Sequence, residues 1–227
     1  RSNIYLNNSF ELGHELEIVK GLTLMNDFEI ALRRSVSNYK VGNNADSIFG
    51  IPNEPPVQFD PYNATYNQVR LYFTPRMRYA REPREKIFLG SRWPTFYVLW
   101  KKGLKGLFKS EIDFDYLEFG LFQNLNLGVA GNTSYFIKSG DFVNSKDLRV
   151  IDYKFMRQGD PLFFQNPRSN FQALDSTFPV FDRYFQGNIV HEFNGALLSK
   201  IPFFKKLKLQ EIAGGGVLIA PERDLRH

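Results

Sequence analysis

Alternation of apolar and polar residues constrains this chain more than any other feature. From Ile4 to Ile18 the even positions read Ile4, Leu6, Asn8, Phe10, Leu12, His14, Leu16 and Ile18. The odd positions read Tyr5, Asn7, Ser9, Glu11, Gly13, Glu15 and Glu17. A helix would spread such a set around its circumference, whereas a strand gathers it on one face. The pattern returns at once: Leu22, Leu24, Phe28, Ile30, Leu32 and Val36 alternate with Thr23, Asp27, Glu29, Arg33 and Ser35. Only Val19, Lys20 and Gly21 separate the two runs, which predicts a tight hairpin between long strands.

Further runs extend the pattern. Val69, Leu71, Phe73, Met77 and Tyr79 oppose Gln68, Arg70, Thr74, Arg76 and Arg78, with Pro75 unable to donate to a ladder. A fourth strand is expected from Ile87 to Trp100, where Phe96, Val98 and Trp100 share a face and Pro94 blurs the register. A fifth is expected from Glu111 to Phe122 and a sixth from Thr133 to Phe142. The seventh sets Phe181, Phe185, Ile189 and Phe193 against Asp182, Gln186, Asn188 and Glu192. The eighth sets Leu207, Leu209, Ala213, Val217 and Ile219 against Lys206, Lys208 and Gln210. Long polar-aromatic connections, Tyr39–Tyr66 and Val143–Pro179, contrast with short turns at Gly21 and Arg81–Glu85.

Strands of ~12–15 residues exceed the ~5–6 usual in globular sheets. Short turns alternating with long loops are the habit of outer-membrane barrels, whose long loops are extracellular. The expected fold is therefore all-β, an antiparallel transmembrane β-barrel with about eight strands. Aromatic residues make up 16% of the chain, enough apolar surface to exclude disorder. With no Cys, a disulfide framework, a thiolate zinc site and a cysteine nucleophile are all excluded. No run approaches the roughly 18 apolar residues of a transmembrane helix, which leaves a membrane barrel open. The net charge of +5 is too small and too scattered to argue nucleic acid. Arg1 is not a start methionine and no signal-peptide segment follows, so it reads as an internal point or a processed end. With short turns periplasmic, both chain ends would fall on the extracellular side, against the usual arrangement. The expectation is that residues 1–227 are a section of one larger outer-membrane barrel domain, with strands missing at both ends.

Candidate sites follow from the faces. Arg70, Arg76, Arg78, Asp113, Asp115 and Glu192 are expected to face the lumen. The three arginines would form a basic ladder tuning solute selectivity, or else pair with carboxylates across the lumen. Asp113 and Asp115 share a strand face about 7 Å apart, a spacing suited to acid/base work or a cation, or simply to a polar barrel interior. The lipid-facing set is expected to be Leu6, Phe10, Leu12, Leu24, Phe28, Ile30, Leu71, Phe73, Ile189 and Val217. Phe203, Phe204, Lys205 and Lys206 read as a periplasmic interfacial anchor, aromatics in the membrane and lysines toward lipid phosphates, or else as part of a long turn with snorkelling lysines. His191 reads as a structural residue near a turn, since Glu192 beside it points to the opposite face. Gly214-Gly215-Gly216 lacks the Lys-Ser/Thr of a phosphate loop and marks a bend or a close approach.

Three segments carry a family likeness: SFELGHELEIVKGL (9–22), LGSRWPTFYVLWKKGLKG (89–106) and FDRYFQGNIVHEFNGALLSKIPFFKKLKLQE (181–211). The last holds His191, Phe193-Asn194-Gly195, Ile201-Pro202-Phe203-Phe204 and Lys205-Lys206-Leu207-Lys208. Together they resemble an outer-membrane family of Bacteroidetes-type bacteria, of unknown function, found with an N-terminal carboxypeptidase-regulatory-like domain. The resemblance implies a large barrel and no assignable catalytic residue. The function expected is non-enzymatic: transport, export or assembly of envelope components in the bacterial outer membrane. Its partners would be outer-membrane lipid, lipopolysaccharide and other envelope proteins, with no nucleic acid, cofactor or metal. The alternatives are a soluble all-β binding module and a barrel-embedded hydrolase.

Overall fold

The computed structural model describes residues 5–37, 58–81, 86–156, 171, 178–180, 183–195, 198–200 and 209–220. Its strands are β1 (Tyr5–Val19), β2 (Leu22–Ser35), β3 (Tyr62–Phe73), β4 (Arg78–Arg81), β5 (Lys86–Gly90), β6 (Thr95–Gly103), β7 (Asp113–Asn126), β8 (Asn132–Asp147), β9 (Lys154–Met156), β10 (Phe178–Val180), β11 (Tyr184–Glu192) and β12 (Ile212–Ile219). Eight of them form one antiparallel sheet in the order β1-β2-β3-β6-β7-β8-β11-β12, while β4-β5 and β9-β10 are separate pairs. The sheet is open: β1 and β12 are its edges and are not paired with each other.

The first hairpin forms as the alternation predicts, with Gly21 supplying the left-handed turn at φ +80°. Phe10 pairs with Ile30 and Leu12 with Phe28, so like faces meet. That continuity persists across the sheet. Leu24 lies opposite Leu71, Leu71 opposite Val98, Val98 opposite Phe119, and Ile189 opposite Gly215. All ten residues expected on the lipid side fall on this one face. Phe10, Leu12 and Phe119 are 64%, 63% and 54% exposed, so the face is apolar and largely open, apart from the part near Phe28 and Thr65 that the β6–β7 connection covers. Polar interruptions occur at His14, Asn26 and Asn67, where Asn26 Nδ2 donates to Asn67 Oδ1 at 2.8 Å.

The opposite face holds the core. Tyr62, Ala64, Tyr66, Phe114, Tyr116, Phe142 and Tyr184 are buried there, with Met156 from the return after β8. This core is covered because the chain from Leu148 to Met156 folds back over the sheet, carrying a short 3-10 turn, Val150–Asp152, and β9.

Several boundaries differ from the sequence reading, and β3 begins at Tyr62, within the stretch expected to be a long loop. The third run is not one strand: β3 ends at Phe73, and the Thr74 N–H bonds the Gly21 carbonyl at 2.7 Å. Pro75 has no N–H to continue the ladder, and Arg76 takes a left-handed φ of +51°. The fourth run likewise breaks, into β5 and β6, at Ser91–Pro94. In the other direction, β8 runs to Asp147, so part of the stretch expected to be irregular is strand.

Candidate functional site

The covered face assembles a polar–aromatic network around two buried carboxylates. Glu118 on β7 accepts from Tyr97 Oη at 2.8 Å, Tyr116 Oη at 2.6 Å and Lys154 Nζ at 3.1 Å, and also from the Tyr184 hydroxyl. Cross-strand geometry brings the phenols together: Gly120 opposes Tyr97, and Gly140 opposes both Glu118 and Tyr184. The glycines leave the space that the rings fill. A Cβ at Gly140 would lie 2.6 Å from the Tyr116 hydroxyl and 2.6 Å from the Tyr184 ring. Gly140→Val is therefore expected to cost about 1–3 kcal/mol by overpacking. Denaturant titration checks it, and an unchanged midpoint would mean that the rings have room to move.

Asp152 is the second centre. It comes from the folded-back return, and its side chain is 1% exposed against 6% for Arg33, which it meets at 2.6 Å. Tyr66 Oη donates to the same carboxylate at 2.7 Å and Tyr62 Oη at 3.4 Å. The Arg33 guanidinium lies 4.9 Å from the Tyr66 ring centroid. The return is thus latched at two points, Asp152 to Arg33 on β2 and Lys154 to Glu118 on β7. Charge-assisted hydrogen bonds in a site this dry are strong, and leaving either partner alone is costly.

The residues singled out from sequence mostly lie elsewhere. Arg70 is on the covered face and is ion-paired with Asp27 on β2. Glu192 ends β11 on that face, opposite Asn132 and Ile212. The basic ladder does not assemble, because Arg76 sits in the turn with its guanidinium 5.9 Å from the Trp93 ring and Arg78 begins β4 in a separate pair. Asp113 and Asp115 do not share the face of Arg70 and Glu192. The register puts Asp115 opposite Lys102, on the face of Trp100 and Phe119. Lys102 Nζ reaches Asp115 at 3.0 Å and Trp100 Nε1 donates to it at 3.1 Å, while Asn144 Nδ2 donates to Asp113 at 3.0 Å. Both carboxylates are engaged by Asn144, and Asp115 also by Lys102 and Trp100. Among the described residues no group of three or more His, Asp or Glu side chains is arranged for a metal. Phe203, Phe204, Lys205 and Lys206 lie outside the described residues.

His191 is tied into a turn. Its Nε2 donates to the Ala130 carbonyl at 3.0 Å, which leaves Nδ1 to accept from the Thr133 hydroxyl at 2.7 Å. Phe193 packs edge-on against its ring at 4.3 Å. Gly214, Gly215 and Gly216 lie within β12, where Gly216 faces the Asn188 side chain and the Phe171 ring.

Sequence reasoning missed Glu118, Arg33, Asp152, Lys101 and Lys154. The available signal was Phe114, Tyr116 and Glu118 at period two, a lone carboxylate among rings on one strand face. Nothing local marks Asp152, which acquires its role only by the return.

No curated protein and no solved structure matches this chain. The family model described as the C-terminal domain of a family of unknown function, DUF5686, matches residues 1–226. The likeness read from the His191 to Lys208 stretch to a family of unknown function is thereby met, and the chain belongs to the DUF5686 family through its C-terminal domain.

Proposed function

We propose that this chain forms part of a bacterial outer-membrane β-barrel with a non-enzymatic role in transport, export or assembly of envelope components. The observation that supports the reading is the apolar face running from β1 to β12, which no second sheet or helix covers and only the 107–110 connection touches, at Phe28 and Thr65. A soluble sheet of this size would bury such a face against a second layer, and an exposed patch this extensive marks an interaction surface. Strands of 8 to 16 residues meet or exceed the roughly 9–11 that a tilted transmembrane strand needs, apart from β12. Trp100 and the Lys102–Asp115 pair bound the apolar face toward the long connections, as aromatic and charged residues do at a membrane surface.

The open edges extend the reading. Backbone groups of β1 and β12 left unpaired in hydrocarbon would each cost several kcal/mol. In this proposal both edges pair with further strands of the same polypeptide, closing a larger barrel around the network of Glu118 and Asp152. The return at 148–156 then occludes the interior rather than leaving a wide water-filled channel. Outer-membrane lipid and lipopolysaccharide are the partners of the apolar face.

The full-length protein is expected to fractionate with the outer membrane and to migrate differently on a detergent gel before and after heating. A full-length chain that stays in solution without detergent, and shows one mobility, would overturn the proposal in favour of a soluble binding module.

A further inference from the structure

A cavity of about 280 Å³ lies between the 148–156 return and the sheet, with Tyr5, Arg33, Lys101, Phe114, Asp152 and Lys154 in its wall. Three of these are cations and one is a carboxylate. Asp152 is already held by Arg33, Tyr66 and Tyr62, and Lys154 is held by Glu118. Lys101 makes no hydrogen bond or ion pair among the described residues. Its ammonium stands 4.3 Å from the Tyr66 ring centroid and 6.0 Å from that of Phe114. The charged groups around it are Asp152, Arg33, Glu29 and Lys154. Arg33, held by Asp152, lies on the same wall.

Lys101 and Arg33 place two cations at one cavity wall, and Lys101 has no acceptor among the described residues, a setting that a bound anion stabilises. Rings flank them, since Tyr116, Phe142 and Phe114 also form the wall. We propose that this cavity binds a small amphiphilic organic acid, its carboxylate or phosphate taking Lys101 and its apolar body resting on Phe114, Tyr116 and Phe142. The volume falls near the lower end of the roughly 300–1,000 Å³ typical of ligand pockets, so the body is short. The inference rests on the cavity alone and is independent of whether the sheet spans a membrane.

Calorimetric titration of the full chain in a nonionic maltoside detergent tests it, with hexanoate, hexyl phosphate, hexanol and inorganic phosphate as probes. The two amphiphilic anions are expected to bind at least about tenfold more tightly than hexanol or inorganic phosphate, the gap that one charge-assisted contact provides. Hexanoate ahead of hexyl phosphate assigns the site to a carboxylic acid, and the reverse order to a phosphate ester; either supports the proposal. Lys101→Gln is expected to remove that preference, while Lys102→Gln, on the opposite face, leaves it intact. Hexanol or bare phosphate binding as tightly as the acids would overturn the proposal, as would an unchanged affinity in Lys101→Gln. Should Lys101→Gln not fold, carbon-13 reductive methylation of the unmutated chain gives a second reading. The methyl resonance missing from Lys101→Arg must shift on adding hexanoate, and a stationary resonance overturns the assignment.

Discussion

Asp152→Ala is expected to destabilise the chain by about 3–5 kcal/mol, the cost of removing one partner from a buried ion pair. The size follows from what is left behind. Arg33 is 6% exposed, and once Asp152 is gone its guanidinium keeps, among the described residues, the Tyr62 hydroxyl at 3.3 Å and the faces of Tyr66 and Tyr5. Tyr66 loses the acceptor of its 2.7 Å hydrogen bond at the same time. The return has its own way out, because the segment can lift from the sheet and let water reach Arg33. Local opening caps the global loss and moves the effect into protease susceptibility. Two readouts are therefore needed: the denaturation midpoint, and the rate of tryptic cleavage after Arg149 and Lys154. Cleavage is expected to rise steeply in Asp152→Ala. Replacing both partners, Arg33→Met with Asp152→Leu, is expected to recover most of the stability, because no bare charge remains. An unchanged midpoint together with unchanged cleavage would show that the pair does not hold the return in place.

Phe119→Arg is expected to have the next largest effect, and its size separates the two environments open to the apolar face. Phe119 lies mid-strand in β7, between Val98 and Ser139, and is 54% exposed. In hydrocarbon near the midplane an arginine there costs about 2–4 kcal/mol. In water the same change at an exposed position usually stays within about 0.5 kcal/mol of neutral. Phe28, on the same face, is a poorer probe, since Phe108 from the β6–β7 connection packs edge-on against it at 6.4 Å. Folding of the full-length variant into lipid vesicles, followed by urea titration, measures the difference. A stability indistinguishable from the unmutated protein would place the face in water and remove the membrane reading.

The difference in legibility between the two faces has a physical origin. Apolar residues repeat at period two, and a one-residue slip would send every one of them to the wrong side. Leu6, Phe10, Leu24, Phe28 and Leu71 are therefore readable one strand at a time, and the ladder merely aligns them. The polar residues of the covered face lack that redundancy. Arg76 and Arg78 keep the right parity on paper, yet Pro75 ends the ladder before them and parity stops carrying meaning. Asp115 shares its parity with Phe119, and reading it by chemistry as an inward carboxylate overrode a pattern that already placed it on the apolar side.

From its sequence alone the chain determined that it is all-β, which residues form the first hairpin, and which face of each long strand is apolar. These are consequences of backbone geometry acting over a few residues. Only the tertiary structure decided that the sheet is open at β1 and β12, that 148–156 folds back onto it, and that Asp152 meets Arg33 from 119 residues away. Contacts of that separation depend on where a connection comes to rest. The energy that holds it there, one buried ion pair and a carboxylate ringed by phenols, leaves no periodic mark in the sequence.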